Sequence, residues 1–497
     1  MQRAITIEVA VESTSSPAGK SAIHTEPSSR DASNLLGIRH TVADLKFMAL
    51  GGGREIGANS FYYGVGGHGI LVDAGLHPEK TGWDAFPKIE ALGGASVDSF
   101  LVTHAHTDHL GAVPFVLQSH PDVDLLATSE TIALAQIMLQ NSASLLPKQH
   151  PREVVDALTN YSLAALPETI AKFQPLELGA SRELAGGDVK VTYYPSGHIL
   201  GAAGILVESD GSRVFHTGDT SLHAQRIVGG AKLPHEPVDV LVSESTNGVV
   251  DAYLTHSRER ELERLIETIN ETLAAEGSVL IPVFALGKLQ EMLAMIGDAM
   301  RAGKIPTVPV YTGGMGRKIS EVYDQFLMSK SRVNGLDTLS EIEQVEIPRR
   351  DGLFGGKFFR EPSILLAASG MMQESTGSYL LAQRWLRLPH FAICFVGYTD
   401  ARTPGYIVSH AERGQRIRFG SMKRDVPVRC RVERFRFSAH ARREELLEIV
   451  RRLQPKKVVL THGDEKAMAA FGELILDTFP GTIVTAPEVG KWYSLSN

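Results

Sequence analysis

The stretch from Thr103 to Gly111, which reads THAHTDHLG, constrains this chain more than any other. It places three imidazoles and one carboxylate within six residues, more ligands than a single metal ion needs from so short a segment. If the apolar run before it is a strand that ends in an exposed loop, His104 and His106 face one point, and Asp108 and His109 face a second. Imidazole nitrogen with carboxylate oxygen suits Zn²⁺ or Mn²⁺, and the absence of a nearby cysteine argues against a closed structural zinc site.

Further candidate ligands follow at the ends of predicted strands. Asp73 ends the run Ile-Leu-Val and precedes Ala-Gly, although a lone Asp in a turn is more often a cap or turn former. His198 lies among small residues that let a backbone approach closely, which serves a metal ligand and tight strand packing equally. Asp219 ends a second predicted strand and Glu244 a third. These downstream residues disfavour the alternative that the first stretch is a surface histidine cluster on a loop.

Composition excludes several classes of protein. With 497 residues, 43% of them hydrophobic and 22% charged, the chain has room for two or three soluble domains. We find neither a long apolar stretch nor the basic-then-apolar start of a secretory signal, so we expect a cytoplasmic protein without a membrane segment. Its two cysteines, Cys394 and Cys430, predict no disulfide framework and are expected to lie in cores. The net charge of −7 neither favours nor forbids a polyanionic partner, because local clustering decides phosphate binding.

The pattern of apolar residues changes along the chain. Residues 1–45 predict an extension with little core of its own. Short apolar runs between Gly-rich turns then predict successive strands, and helices are expected at 112–118 and 125–146. From residue 262 the periodicity is helical, and strands predicted at 278–284, 308–311, 363–368 and 391–396 alternate with helices. That alternation predicts an α/β unit with a parallel sheet.

Residues 411–436 are strongly basic. They hold nine Arg or Lys and three acidic residues, which gives 9 − 3 = +6 locally. Two interpretations remain open, the solvated face of a hairpin and a phosphate-binding surface.

Taken in order, these motifs resemble those of the metallo-β-lactamase superfamily and, within it, the β-CASP nucleases that process RNA and DNA. The resemblance covers about residues 46–495. The residues that carry it are Asp73, the His-x-His-x-Asp-His set, His198 in Gly-His-Ile-Leu-Gly, Asp219 in Gly-Asp-Thr, Glu244 in Glu-Ser-Thr, His440 in Phe-Ser-Ala-His, and His462 in His-Gly-Asp.

The resemblance implies an α/β fold, a four-layer αβ/βα sandwich interrupted by an inserted α/β β-CASP domain. Residues 46–245 and 430–497 would form the sandwich, and residues 246–429 the insert. It also implies a site of two Zn²⁺, with Mn²⁺ as the alternative. By analogy His104, His106 and His198 hold one ion, Asp108, His109 and His462 hold the other, Asp219 bridges them, and Asp73 orients ligands from outside.

The implied activity is hydrolysis of RNA phosphodiesters, in an endo- or 5′-exonucleolytic mode, with Asp108, Glu244 and His440 as catalytic residues. Single-stranded RNA would be the partner, with DNA and self-association as further options. The alternatives are a DNA nuclease of the same family and a non-catalytic scaffold, although scaffolds usually lose ligands that are all present here. A small-molecule hydrolase is disfavoured by the insert and by the pair of Glu244 and His440.

Two departures from the family pattern limit the analogy. His-Gly-Asp stands where His-Gly-Glu is usual, which puts in doubt the contact made by Asp464. Residues 312–316, Thr-Gly-Gly-Met-Gly, replace a Ser-Pro pair that many relatives carry beside the substrate groove, so details of substrate recognition are not inherited.

Overall fold

The computed structural model describes residues 45–249, 257–329, 338–347 and 361–496. The extension predicted for residues 1–45 lies, except for its last residue, outside the described residues. Numbered along the chain, the strands are β1 Leu45–Gly51, β2 Ser60–Val65, β3 His68–Val72, β4 Ser99–Leu101, β5 Asp124–Ala127, β6 Phe173–Pro175, β7 Ser181–Leu184, β8 Val189–Pro195, β9 Ala203–Ser209, β10 Ser212–His216, β11 Val240–Glu244, β12 Val279–Pro282, β13 Val310–Thr312, β14 Gln344–Glu346, β15 Ile364–Ala367, β16 Ala392–Phe395, β17 Arg416–Ile417, β18 Val426–Pro427, β19 Arg431–Arg434, β20 Lys457–Thr461, β21 Ile483–Thr485 and β22 Trp492–Ser494.

The helices are α1 Thr107–Leu110, α2 Val113–Ser119, α3 Ser129–Gln149, α4 Arg152–Ala157, α5 Leu166–Ala171, α6 Arg258–Ala274, α7 Lys288–Arg301, α8 Gly314–Ser329, α9 Gly377–Trp385, α10 Pro404–Ser409, α11 Arg443–Leu453 and α12 Glu465–Thr478. None of the helices in these ranges combines the length and the apolar character needed to cross a membrane.

Two seven-stranded sheets form the sandwich, with the orders β22-β1-β2-β3-β4-β5-β6 and β21-β20-β11-β10-β9-β8-β7. Both faces of each sheet are covered. Along β1, Phe47 and Ala49 point into the apolar layer between the sheets, while Met48 and Leu50 point toward the helices outside. Helices α2 and α3 pack outside the first sheet, and α11 and α12 pack outside the second. The four-layer αβ/βα arrangement predicted from the sequence is therefore confirmed.

The insert contains a six-stranded sheet in the order β14-β13-β15-β12-β16-β19, and each of its neighbouring pairs is parallel. The parallel α/β insert is thus confirmed. One face of this sheet shares an apolar cluster with the helical layer of the first sheet, so that Ile281 of β12 and Leu134 of α3 belong to the same core. The sheet includes β19 and so extends past residue 429, where we expect the insert to end. Both cysteines are buried, as predicted.

One helix prediction was wrong at its start. The helix predicted for 125–146 overlaps at its start with residues 124–127, which form β5 instead. The helix begins only after Thr128, whose side chain accepts a hydrogen bond from the amide of Thr131 at 3.1 Å. A run as short as Leu-Leu-Ala carries no periodicity that separates a buried strand from a helix.

The basic segment contains a hairpin, in which β17 pairs antiparallel with β18. Phe419 between them is buried in the apolar cluster on the outer face of the insert. Acidic residues of the protein itself neutralise part of this positive charge, since Arg418 pairs with Asp425 at 2.9 Å and Arg431 pairs with Glu271.

Candidate metal centre

The candidate ligands converge because they follow strands that run in the same direction. In the first sheet β3 and β4 are parallel, and Asp73 and His104 follow their carboxyl ends. In the second sheet β10, β11 and β20 are parallel, and Asp219, Glu244 and His462 lie at or just beyond their carboxyl ends. The carboxyl ends of parallel strands meet at one edge of a sheet, which is where open α/β sheets bind ligands.

The first group of donor atoms belongs to His104, His106, His198 and Asp219, and all four lie within 4.8 Å of one another. Nδ1 of His106 lies 3.2 Å from Nε2 of His104 and 3.0 Å from Nε2 of His198. Oδ2 of Asp219 lies 3.6 Å from Nε2 of His104 and 3.5 Å from Nε2 of His198. Burial lowers the pKa of all three histidines, which favours the neutral imidazole that binds a metal.

The second group belongs to Asp108, His109 and His462. Nε2 of His462 lies 3.4 Å from Oδ2 of Asp108, and Oδ1 of Asp219 lies 3.4 Å from Nε2 of His109 and from Nδ1 of His462. Asp219 therefore directs one oxygen to each group. Its Oδ1 is buried without a hydrogen-bond donor. An unsatisfied buried carboxylate oxygen among imidazoles is what a site for bridged cations requires, so the residues fit two metal ions.

Hydrogen bonds behind the ligands fix which ring nitrogen is free. Oδ1 of Asp73 accepts from the amide of Thr103 at 2.7 Å, and Oδ2 accepts from the Thr103 hydroxyl and from Nδ1 of His109, each at 2.7 Å. Because the Thr103 hydroxyl donates to Asp73, it accepts from Nδ1 of His104, 3.0 Å away. Nε2 of His104 and Nε2 of His109 thus face Asp219 and the two ligand groups, and Nε2 of His109 also lies 3.0 Å from the side-chain amide nitrogen of Asn59.

Two backbone carbonyls complete this support. Nδ1 of His198 lies 3.0 Å from the carbonyl of Ala439, and Nε2 of His106 lies 3.3 Å from the carbonyl of Leu286, which belongs to the insert. The backbone is strained at two site residues, since Asp73 has φ +62° and His462 has φ +47°. Non-glycine residues rarely adopt this left-handed region, and it is concentrated at functional sites.

The buried Glu244 and the partly buried His440 form an ion pair beside Asp219. Oε2 of Glu244 lies 3.0 Å from Nδ1 of His440, and Oε1 accepts from the amide of Thr220 at 2.6 Å. Burial alone would lower the pKa of His440, but the carboxylates of Glu244 and Asp219 outweigh it and raise the pKa to about 9. His440 is therefore protonated at neutral pH and can donate a proton to a leaving group.

The donor atoms of Glu244 and His440 also lie within 4.8 Å of those of Asp219 and His462, which would admit a different ligand set. Glu244, however, already has a partner on each oxygen. For this reason we favour the pair as an acid and its support over a pair of ligands.

The structure brings together all the site residues predicted from the sequence. Several supporting groups were missed. The hydroxyl of Thr246 lies 2.9 Å from Nδ1 of His462, and the buried Asn59 donates to the carbonyl of Asp108 at 3.0 Å. Motif order could have identified neither Asn59 nor the two carbonyls. Asp464, in doubt from the sequence, caps α12 by accepting from the amide of Ala467 at 2.7 Å.

Three family models match successive parts of the chain. They are described as the metallo-beta-lactamase superfamily over residues 53–265, the Beta-Casp domain over residues 289–407, and a Zn-dependent metallo-hydrolase RNA specificity domain over residues 425–487.

Among curated proteins, an RNase J-like protein of Methanocaldococcus jannaschii is 28% identical over 445 residues, which is 86% of this chain and 94% of that protein. Endoribonuclease YSH1 of Saccharomyces cerevisiae is 26% identical over 91% of this chain and 58% of its own length. Cleavage and polyadenylation specificity factor 73 of Drosophila melanogaster is 27% identical over 86% of this chain and 60% of its own length. The chain thus spans under two thirds of these two eukaryotic relatives.

Among solved structures, a protein of unknown function from Enterococcus faecalis V583 matches with a TM-score of 0.52 at 14% identity, covering 91% of this chain and 100% of that one. At this level of identity the match supports a shared fold and nothing more.

Proposed function

The chain belongs to the metallo-β-lactamase superfamily and to its β-CASP branch, and on this premise we propose that it is a two-zinc ribonuclease that cleaves phosphodiester bonds in single-stranded RNA. Membership makes it a metal-dependent hydrolase. The observation that carries the proposal is the ion pair of Glu244 and His440, 3.0 Å apart, beside a carboxylate shared between two ligand groups.

The chemistry of the substrate explains this arrangement. A phosphodiester is an anion that repels hydroxide, and its cleavage releases an alkoxide that needs a proton. Two zinc ions, when bound, supply positive charge for the phosphoryl oxygens and lower the pKa of water from about 15.7 toward 7. His104, His106, His198 and Asp219 would hold one ion, and Asp108, His109, His462 and Asp219 the other.

The remaining steps belong to side chains of this protein. Asp108 would accept the proton released by the attacking water. His440, kept cationic by Glu244, would donate its proton to the 3′-oxygen as the phosphorus–oxygen bond breaks. The products are a 5′-phosphate and a 3′-hydroxyl.

Support for RNA rather than DNA comes from the match to an RNA specificity domain and from the ribonuclease relatives. The match spans under two thirds of the length of the eukaryotic relatives, so their assemblies are not transferred to this chain. DNA cleavage, self-association and a cytoplasmic location remain predictions.

The test is an assay of the purified protein with Zn²⁺ or Mn²⁺. RNA and DNA of one sequence, labelled at either end, are incubated with the protein, and product lengths and termini are determined. We expect RNA fragments with 5′-phosphates and close to two metal ions per chain. Cleavage of DNA alone would favour the DNA nuclease, and no cleavage by protein carrying both ions would favour the scaffold. A single bound ion with full activity would overturn the two-metal proposal.

A further inference from the structure

Four aromatic side chains are well exposed in the described parts of the chain: Trp83, Phe284, Tyr398 and Trp492. Trp83 packs beside Phe86 with ring centroids 5.7 Å apart, and Trp492 packs against Tyr62 at 5.5 Å. Within the same described residues, Phe284 and Tyr398 have no aromatic neighbour, although they are 37% and 48% exposed. These two rings therefore present faces to solvent without an evident structural use.

Phe284 and Tyr398 lie on neighbouring loops at the carboxyl edge of the insert sheet. Phe284 follows β12 and Tyr398 follows β16, and these two strands are paired in parallel. Adjacent strands lie about 4.8 Å apart, so the two loops begin side by side.

The backbone of one loop contacts a candidate ligand, and the backbone of the other contacts the segment that leads to His440. Two residues after Phe284, the carbonyl of Leu286 lies 3.3 Å from Nε2 of the candidate ligand His106. Two residues before Tyr398, the carbonyl of Val396 accepts from the amide of Phe437 at 3.3 Å, in the segment that leads to His440. Phe284 thus belongs to the loop that contacts the first ligand group, and Tyr398 belongs to the loop bonded to the segment that leads to the proton donor.

The Phe284 ring is held in place by its surroundings. A Cβ added to Gly370 would lie 3.1 Å from two carbons of the Phe284 ring, so the absence of a side chain at 370 lets the ring lie on the backbone. That contact supports one side of the ring.

The Tyr398 ring is held by a chain of polar contacts. Its hydroxyl donates to Oδ2 of Asp400 at 3.4 Å. Asp400 pairs with Arg402 at 3.0 Å, and Arg402 reaches Glu79 of the first domain at 2.7 Å. A ring fixed before binding loses little conformational freedom when a ligand stacks on it.

We propose that Phe284 and Tyr398 are stacking platforms for the unpaired nucleobases on either side of the phosphodiester that the metal centre cleaves. This inference rests on the proposed ribonuclease function and names how its substrate is selected. A scissile phosphate at the metals places the flanking nucleotides over these two loops. Every base has a π-face, so stacking tolerates any sequence, whereas bases inside a duplex are already stacked on one another. The enzyme should therefore require single-stranded RNA and show little sequence preference at these positions.

The experiment combines protein variants with RNA that lacks single bases. Phe284→Ala and Tyr398→Ala are compared with wild type and with the control Trp492→Ala, which removes a ring of similar exposure, 45%, at the outer edge of the first sheet. Tyr398→Phe keeps the ring. The substrates are one unstructured RNA and two versions with an abasic nucleotide on either side of the mapped cleavage position. Metal content and melting temperature are measured for each variant.

We expect each alanine variant to raise KM by about 5- to 150-fold, the range that stacking on one base supplies. Trp492→Ala should stay within about twofold of wild type, and Tyr398→Phe, which keeps the ring but loses its bond to Asp400, should raise KM less than Tyr398→Ala does. The abasic RNA that lacks the base stacked on a given ring should bind wild type and that ring's alanine variant equally poorly. Two results would overturn the stacking inference while wild type still cleaves RNA. In the first, the effects of the alanine variant and of the missing base on binding multiply. In the second, the alanine variants behave like Trp492→Ala. If wild type does not cleave RNA, the proposed function fails first.

Discussion

The hydrogen-bond partners of the candidate histidine ligands matter as much as the imidazoles themselves. Asp73 and Thr103 decide the free nitrogen of His104 and His109, and the carbonyls of Leu286 and Ala439 do so for His106 and His198. Glu244 acts on His440 in a different way, because its charge keeps the imidazole protonated. At the scale of the residue, binding a metal and donating a proton are therefore separable by mutation.

His440→Ala tests the separation. The variant should keep its metal ions and cleave RNA more slowly by about 10²- to 10⁴-fold, the usual contribution of a general acid. An aryl phosphodiester, whose leaving group needs no proton, should be cleaved at close to the wild-type rate. Metal analysis and the two rate measurements decide the outcome. Loss of a metal ion from the variant would instead make His440 a ligand and reverse the roles assigned to His440 and His462.

Asp73→Asn tests the support of the second group. The amide keeps the shape of the carboxylate but loses the charge and one acceptor, so we expect metal affinity to fall by about 10- to 100-fold. A matched control is Asp464→Asn, which alters a carboxylate that caps α12 close to His462 but leaves a residue that caps about as well. Titration with a chelator measures the metal affinity of both variants. Equal affinities in the two variants would remove Asp73 from the metal site.

At the scale of the element, the sequence predicted the strand ends that side-chain patterns determine. The strand ends that carry Asp73, Asp219 and Glu244 were predicted because apolar runs stop at polar residues there. The carbonyls of Leu286 and Ala439 could not be predicted, since a main-chain group leaves no mark in the sequence and these two lie 180 and 241 residues from the histidines that they contact. The start of α3 was missed for a local reason, because a three-residue apolar run fits a strand and a helix equally.

Lys288, the first residue of α7, is a second element-level contact that the sequence does not reveal. Its Nζ donates to the carbonyl of Phe437, three residues before His440, and the side chain is buried. Burial lowers the pKa of this amine to about 7, with Arg258 acting in the same direction and Glu291 opposing it. The insert therefore contacts the segment that leads to His440 through an amine that loses its proton near neutral pH.

Lys288→Met should change how stability depends on pH. Between about pH 7 and the unfolded-state pKa of about 10.4, the unfolded chain binds a proton at this amine that the folded chain does not. The free energy of unfolding of wild type should therefore rise with pH across this window, by at most about 1.4 kcal/mol per pH unit, relative to the variant. Urea unfolding of both proteins at pH 7, 8 and 9 measures the difference. Parallel curves would show that Lys288 is charged in the folded protein throughout.

At the scale of the whole molecule, the site is shared between two domains. The insert and the first sheet's helical layer have one apolar core. From the insert, the carbonyl of Leu286 contacts the candidate ligand His106, and the amine of Lys288 contacts the segment that leads to His440. The domains are also joined by polar contacts, and one of these involves Arg402. Arg402 of the insert lies between Asp400 and Glu79 of the first domain, at 3.0 and 2.7 Å, and burial together with Asp400 raises the pKa of Glu79 against the opposing effect of Arg402.

Arg402→Ala should loosen this connection without unfolding either domain. The guanidinium is 67% exposed, so its pairs contribute at most about 1 kcal/mol to stability. Without it, however, the carboxylates of Glu79 and Asp400 repel each other across the domain boundary, and the loop that carries Tyr398 should separate from the first domain. We expect faster hydrogen exchange at residues 397–403, a higher KM for RNA and a kcat within about threefold of wild type. Arg260→Ala is the control, because Arg260 is 62% exposed and pairs with Glu263 at 3.0 Å within α6. The double variant Arg402→Ala/Glu79→Gln removes the charge of one of the two carboxylates. If its hydrogen exchange is no closer to wild type than that of Arg402→Ala alone, repulsion between carboxylates is not what opens the loop. The position of Tyr398 must then depend on the apolar contacts between the domains.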